Sequence, residues 1–289
     1  MYLKATKSFG EEKAETEKSN KPILIVLCCI FLIYSATLIF PFVWMLFNSV
    51  KDKVDFQFRQ WEVTAAYLQN YTSIFKEFNL LEMFGNSLIL CIGIPVLSVF
   101  STCCMAYAVA CFKFKFRTFL YYLAVSVMFI PVAGSLATTY KLMTDTGLMN
   151  TYIGVILLSS SGFGFNFMLL HSTYKTISPT YSEAAMIDGA GYWRTFLTIV
   201  SPQASPTIVA LLVLSFVGVW NNYETQYLFL PGHKTISTGI YEISNSAEMS
   251  GDYPKLFAII LVTVIPVITL FLIFQKKIME ISMGGGIKE

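Results

Sequence analysis

The chain has 289 residues, of which 55% are hydrophobic and 13% are charged, with a formal net charge of +2 and a mean hydropathy of +0.61. Soluble domains carry about 25% charged residues, so this composition indicates a membrane protein. The small net charge argues against nucleic-acid binding, and the absence of a Gly-x4-Gly-Lys-Ser/Thr loop excludes a P-loop for ATP in this chain.

The apolar runs predict an all-α, polytopic helix bundle that crosses the membrane six times. Each run is long enough to span, because a transmembrane helix needs about 20 apolar residues. Proline interrupts several runs, which membrane helices tolerate because neighbouring helices satisfy the freed carbonyls. The predicted spans are 23–47, 86–110, 118–139, 151–171, 204–226 and 256–275.

The segments outside the spans divide the chain into three parts. Residues 1–22 form a mixed-charge tail, residues 23–275 the six-helix membrane domain, and residues 276–289 a second tail. The tail at 1–22 does not resemble a signal peptide, since the apolar run after it is long enough to span and lacks a small-residue cleavage site. We therefore expect the first helix to stay in place.

The distribution of Lys and Arg predicts that both termini are cytoplasmic. With that orientation, 13 of the 20 basic residues lie inside and 7 outside, as the positive-inside rule requires. The clearest element is the short loop that carries Lys113, Lys115 and Arg117.

Residues 67–84 have apolar side chains at helical spacing. They predict an amphipathic helix on the outer surface, which either lies in the membrane interface or packs on the outer end of the bundle. The sequon that begins at Asn70 is short enough to arise by chance, and we discount it as a glycosylation site.

The chain offers no metal, redox or proton-relay motif. The six cysteines include no C-x2-C pair, and the two histidines stand far apart without acidic neighbours. None of the six span cores contains Lys, Arg or Asp, whereas secondary carriers commonly use such groups at depth. We predict no cofactor and no catalytic residue, and any energy for transport would come from another subunit.

The loop at 172–203 predicts two short helices on the inner surface. Either Ser178 followed by Pro179 begins the first helix as N-cap and first residue, or Thr180 with Glu183 forms a capping box. Glycines should end that helix, and a second one should run from Tyr192 towards Val200. The glycines and the proline that marks the next turn are Gly189, Gly191 and Pro202.

This loop resembles the EAA signature of ABC-importer permeases, E-A-A-x3-G-x9-I-x-L-P. Ser201 departs from it, because the family usually has Leu there. Other stretches resemble the carbohydrate branch related to the second membrane subunit of maltose transporters, including 147–152, 220–222 and the glycine-rich ending 285–288. The residues in register with the signature are Glu183, Ala184, Ala185, Gly189, Ile199 and Pro202.

The resemblance implies a type I ABC importer permease in the cytoplasmic membrane. Such a permease pairs with a second, homologous but non-identical subunit, two cytoplasmic ATPase subunits hydrolyse ATP, and an extracytoplasmic protein delivers the sugar. The EAA loop would dock on the ATPase, with Glu183 pairing with a basic residue, two alanines allowing close approach and a glycine giving the turn. The expected ATPase-coupling residues are Glu183, Ala184, Ala185, Ile187, Asp188 and Gly189.

Three asparagines could line a translocation path, because amides hydrogen-bond sugar hydroxyls. They are Asn166, Asn221 and Asn222. The simpler alternatives are that Asn166 joins two helices and that Trp220 anchors the chain at the membrane interface. For the whole chain, the alternatives to a carbohydrate importer are an ABC permease for another solute and a six-span secondary carrier or channel.

Overall fold

The computed structural model describes residues 2–64, 66–130 and 134–284, with side chains between residues 22 and 276. All regular elements of these residues are helices. This confirms the predicted all-α class. The glycine-rich ending at 285–288 lies outside these residues. The helices are α1 (Tyr2–Ser49), α2 (Lys53–Phe58), α3 (Gln69–Glu77), α4 (Leu80–Cys111), α5 (Arg117–Ser126), α6 (Leu136–Asp145), α7 (Tyr152–Ser159), α8 (Phe165–Thr176), α9 (Pro179–Ile187), α10 (Tyr192–Thr195), α11 (Ser201–Gln203), α12 (Ser205–Asn221), α13 (Glu224–Phe229), α14 (Ile236–Ser250) and α15 (Tyr253–Gly284).

Three single helices of the described chain are long and apolar enough to cross a membrane. They are Pro22–Ser49 of α1, Leu80–Cys111 and Tyr253–Lys276 of α15. A fourth span is obtained if Tyr192–Gln203 and Ser205–Asn221, which meet at a bend of 80°, count as one. The predicted number of six spans therefore stays a prediction.

The predicted third and fourth spans are each divided into shorter helices. The run at 118–139 forms α5, a 3₁₀ turn at 127–129 and α6, and the run at 151–171 forms α7 and part of α8. Gly164 has φ +93° immediately before α8. Helix α4 stabilises the break between α7 and α8, because Ser98 Oγ donates a hydrogen bond to the carbonyl of Ser161 at 2.9 Å. In a continuous helix, that carbonyl would accept a backbone hydrogen bond instead.

Helix α4 is the centre of the bundle and packs against α8 and α12. Its buried face combines small and β-branched residues, which allow close approach of the neighbouring helices. Tyr107 on this face stacks on Phe196, with ring centroids 4.9 Å apart. The largest buried cluster includes Val99, Cys103, Ala106, Tyr107, Phe167, Leu170 and Phe196.

The segment at 67–84 is not one helix on the membrane surface. Helix α3 ends at Glu77, and Asn79 takes a left-handed conformation (φ +51°) before α4 begins. Ile74 is fully buried and α3 packs on α15, so the alternative of a helix packed on the bundle is correct. Asn70 is also buried, and its Nδ2 binds the carbonyls of Ser49 and Lys51, each at 2.8 Å.

Helix α1 stands away from the bundle between residues 22 and 43, where every residue is exposed. Its most apolar 18-residue stretch contains no buried residue. Only its end is fixed: Trp44 packs edge-on against Phe257 of α15, with ring centroids 5.4 Å apart.

The loop after α1 contains a buried lysine. Lys51 is 1% exposed and donates hydrogen bonds to two backbone carbonyls at 2.7 and 2.9 Å. Burial lowers the pKa of Lys51, against the opposing charges of Asp55 and Glu62.

Candidate coupling segment and membrane cavities

The segment at 172–203 begins with a capped helix. Ser178 has extended backbone angles (φ −62°, ψ 131°), its Oγ accepts a hydrogen bond from the amide of Thr180 at 3.4 Å, and Pro179 is the first helical residue. The first alternative for this N-terminus is therefore confirmed, and the capping box of Thr180 with Glu183 is wrong. Proline suits this position because its missing N–H would have no partner in the helix.

The helix ends at a glycine turn, as the sequence predicts. Gly189 has φ +82°, a conformation that L side chains rarely adopt. The turn is closed by two hydrogen bonds, from Gly189 N to Met186 O at 3.1 Å and from Ala190 N to Ala185 O at 2.9 Å. Gly191, in contrast, has ordinary extended angles (φ −71°, ψ 163°).

The predicted second helix is only partly regular. Helix α10 continues as a five-residue π-helical turn, Phe196–Val200, and then as α11. Thr195 and Phe196 in this stretch are buried. The chain then bends by 80° into α12, so the segment connects directly to one of the apolar helices.

Helix α9 presents one buried and one exposed face. Ala185 is 6% exposed, and the helix packs against α10 and the π-helical turn, whereas Ile187 is 87% exposed. Within the described residues, Glu183 and Asp188 form no ion pair. The other predicted coupling residues are all exposed: Glu183, Ala184, Asp188 and Gly189.

Large apolar side chains surround this exposed face. Several exposed large apolar side chains on neighbouring elements are typical of an interaction site. We call it the α9–α10 surface. Its members are exposed by 39 to 87% and are Tyr181, Met186, Ile187, Tyr192 and Trp193.

A cavity of about 360 Å³ lies behind α9, between it, α4 and α8. Glu183 and Lys175 line it together with Ser182, and two tyrosines, Tyr107 and Tyr174, pack edge to face at 5.8 Å at its inner side. Met186 and Tyr192 of the α9–α10 surface also line this cavity, so Glu183 lies at its rim and remains accessible from the exposed face of α9.

The structure does not bring the three predicted path asparagines together. Asn221 lines a cavity of about 450 Å³ between α12, α14 and α15. Asn222 lines a different cavity of about 230 Å³, and its side chain bonds Thr225 at the start of α13. Asn166 is half-buried, in the first turn of α8, and makes no hydrogen bond through its side chain to a described residue.

Trp220 is buried and is not an interface anchor. It is 6% exposed, and its indole lies 5.9 Å from the rings of both Phe84 and Phe216. The expectation of an anchor is wrong because Trp220, in the last turn of α12, points towards α4 and α14. The residue type alone does not reveal which helices lie next to it.

Sequence reasoning missed the polar cluster beside this tryptophan. Gln226 is 3% exposed, its Nε2 donates to Val219 O at 2.9 Å, and its Oε1 accepts hydrogen bonds from the hydroxyls of Thr235 and Ser237. The cluster joins the end of α12 to the start of α14. A glutamine and a Thr-x-Ser-Thr sequence next to an apolar run are the signal that could have found it.

Comparison with known proteins places the chain in a family. Residues 22–278 match the family model described as binding-protein-dependent transport system inner membrane component. The chain is 28% identical over 271 residues to the diacetylchitobiose uptake system permease protein NgcG of Streptomyces coelicolor, covering 92% of this chain and 90% of that protein. It is 26% identical to the melibiose/raffinose/stachyose import permease protein MelC of Bacillus subtilis, covering 86% and 91%.

A solved structure shows the same fold. A bacterial ABC transporter involved in the import of the acidic polysaccharide alginate superposes with a TM-score of 0.77 at 20% identity, over 89% of this chain and 97% of that one. This likeness confirms the predicted permease fold. The family match covers most of the chain, and the protein therefore belongs to the binding-protein-dependent transport system inner membrane components.

Proposed function

We propose that this chain is one of two non-identical permease subunits of an ATP-driven carbohydrate importer. A separate cytoplasmic ATPase docks on the α9–α10 surface, and an extracytoplasmic protein delivers the sugar. Both termini lie on the cytoplasmic side. The observation that carries the proposal is the exposed EAA helix α9, which projects large apolar side chains and an unpaired Glu183 while its other face packs on α10 and the π-helical turn.

The composition of the exposed face supports docking of a protein. Apolar side chains supply the buried core of an interface, and the carboxylates of Glu183 and Asp188 give it orientation by pairing with cations. Ala184 is exposed next to Glu183, so no bulky side chain keeps the partner away from the helix backbone. The bend at 80° into α12 gives a direct route from the docked helix to the membrane domain.

Helix α1 supports a second membrane subunit. Nearly its whole length from residue 22 is apolar and uncovered within this chain, so it fits the bilayer together with a partner helix. Its end packs against the start of α15 through Trp44 and Phe257. The two helices therefore run in opposite directions, which supports termini on the same side.

Carbohydrate as the substrate is supported by the relatives. The names of the relatives from Streptomyces coelicolor and Bacillus subtilis specify uptake of diacetylchitobiose and import of melibiose, raffinose and stachyose. The chain spans about nine-tenths of both proteins, so the similarity is not confined to the EAA loop.

The test uses the complete importer, expressed with its ATPase, its second permease and its binding protein. Glu183→Ala should release the ATPase on purification and abolish ATP-dependent sugar uptake, because a carboxylate that orients docking is lost. Glu248→Ala is the matched control, since Glu248 is also exposed and lies on α14, away from α9. This control should retain both properties.

Two results would overturn the proposal. One is full retention of the ATPase and of uptake in Glu183→Ala. The other is uptake that needs an ion gradient and no ATP, which would favour a secondary carrier.

A further inference from the structure

We propose that this subunit carries its own binding site for an uncharged pyranoside, in the cavity between α12, α14 and α15. The inference rests on the proposed function and deepens it, because it names the substrate class and the side chains that contact it. The cavity of about 450 Å³ falls within the range of about 300–1,000 Å³ that small-molecule sites occupy.

One wall of the cavity is aromatic. Tyr223 and Tyr241 stack with ring centroids 4.7 Å apart, and Tyr227 packs edge-on against Tyr241 at 5.5 Å. These contacts fix the rings in place, while Tyr223 and Tyr241 remain 37% exposed. A fixed and partly exposed ring offers an apolar surface to the C–H face of a pyranose at little entropic cost.

Polar groups that can bind hydroxyls line the same cavity, close to the tyrosines. The Asn221 Nδ2 is bound to Val217 O at 2.8 Å, which holds the amide in place and leaves its oxygen without a described partner. Ser244 lines the cavity, and its hydroxyl has no hydrogen bond to the described residues. The cavity therefore presents a fixed acceptor and a free hydroxyl, the groups that recognise sugar hydroxyls.

No Asp, Glu, Lys, Arg or His is among the described residues that line this cavity. Helix α14 separates it from a second cavity of about 440 Å³ that is strongly charged, with Glu77, Glu82, Glu242 and Lys234 in its wall. An uncompensated charge is costly to bring into a site without a counter-charge. The uncharged cavity thus selects against uronic acids, amino sugars and phosphosugars.

The position of the cavity connects it with the coupling segment. Trp220 and Asn221 form part of its lining at the last turn of α12, and α12 begins at the bend after α11. The 17 residues of α12 correspond to about 25 Å of helix. Movement of the docked segment would reach the site through this one helix.

Cysteine protection tests the site in cells that express the complete importer. Ser244→Cys places a thiol in the uncharged cavity, and Ser246→Cys places one on the same helix in the charged cavity. Labelling by a small thiol reagent is measured with melibiose, raffinose or diacetylchitobiose, and with an alginate oligosaccharide as the acidic probe. The unsubstituted protein corrects for labelling of its six native cysteines.

A transported uncharged sugar should slow labelling of Ser244→Cys at least about threefold and leave Ser246→Cys unchanged, and the acidic probe should affect neither. A second variant tests the aromatic wall. Tyr241→Ala should raise KM for uptake about fivefold, whereas Tyr241→Phe, which keeps the ring, should leave KM close to its original value.

The outcomes separate this inference from the proposed function. If the unsubstituted importer takes up no carbohydrate with ATP, charged or uncharged, the proposed function of carbohydrate import fails, and the site fails with it. If it takes up only the acidic oligosaccharide, the site is wrong and the proposed function stands. If an uncharged sugar is taken up, but Ser244→Cys is unprotected and Tyr241→Ala is normal, the site is wrong and the proposed function stands. Equal protection by the acidic probe would overturn the selectivity for uncharged sugars.

Discussion

Gly189 is the residue at which a single methyl group should disturb the coupling segment most clearly. Its φ of +82° lies in the left-handed region, and a Cβ built on it meets no atom within 4 Å. The cost of Gly189→Ala is therefore backbone strain alone, about 1–2 kcal/mol. The strain acts on the turn that follows α9, so the affinity of the membrane complex for its ATPase should fall by a factor of about 5–30.

The assay is the affinity of the assembled membrane complex for its ATPase, measured by retention on a column at increasing dilution. Gly189→Asn should lose much less, because Asn tolerates the left-handed region better than other side chains. Gly191→Ala is the matched control: its backbone angles are ordinary and its Cβ also meets nothing within 4 Å. Equal retention by all three variants would refute the reasoning.

Three further substitutions test the fold, each read as a change in thermal stability of the purified complex. Lys51→Met should destabilise by about 1–3 kcal/mol, because the two backbone carbonyls that bind its ammonium would lose their partner; no change would show that the lysine does not hold the loop. Ser98→Ala should cost about 1 kcal/mol by removing the shorter of the two hydrogen bonds to the carbonyl of Ser161, which leaves only the bond from Thr102 Oγ1 at 3.4 Å; an unchanged melting temperature would show that Ser98 does not stabilise the break before α8. Gly154→Ala should destabilise by about 1–3 kcal/mol, since its Cβ would stand 2.2 Å from a backbone oxygen, whereas Gly85→Ala, with open space around its Cβ, should be neutral or better.

Local chemistry was predictable from the sequence. The start of α9 at Ser178 and Pro179 and its end at Gly189 depend on a cap, a proline ring and a left-handed glycine, and all three act within a few residues. The all-α class and the permease fold followed from apolar runs and from the register of the EAA signature. These features do not depend on which helices are neighbours.

Features decided by tertiary contacts were not predictable. The break before α8 depends on Ser98, which is 63 residues away in sequence from the carbonyl it binds. The burial of Trp220 depends on Phe84, and the uncharged cavity depends on three helices meeting. A hydropathy pattern contains no information on such pairings, so it predicted continuous spans where the structure has divided helices. For the same reason, the residue type of Trp220 predicted an interface anchor where the structure has a buried ring.

The central claim is that a separate ATPase docks on the α9–α10 surface, and site-specific photocrosslinking at Ile187 tests it most directly. Ile187 is 87% exposed at the end of α9, and Ile153 on α7, 66% exposed, is the control position. In cells that express the complete importer, a photoreactive side chain at position 187 should crosslink to the ATPase subunit, and one at position 153 should not. Absence of an ATPase crosslink at 187, or equal crosslinking at both positions, would contradict the account.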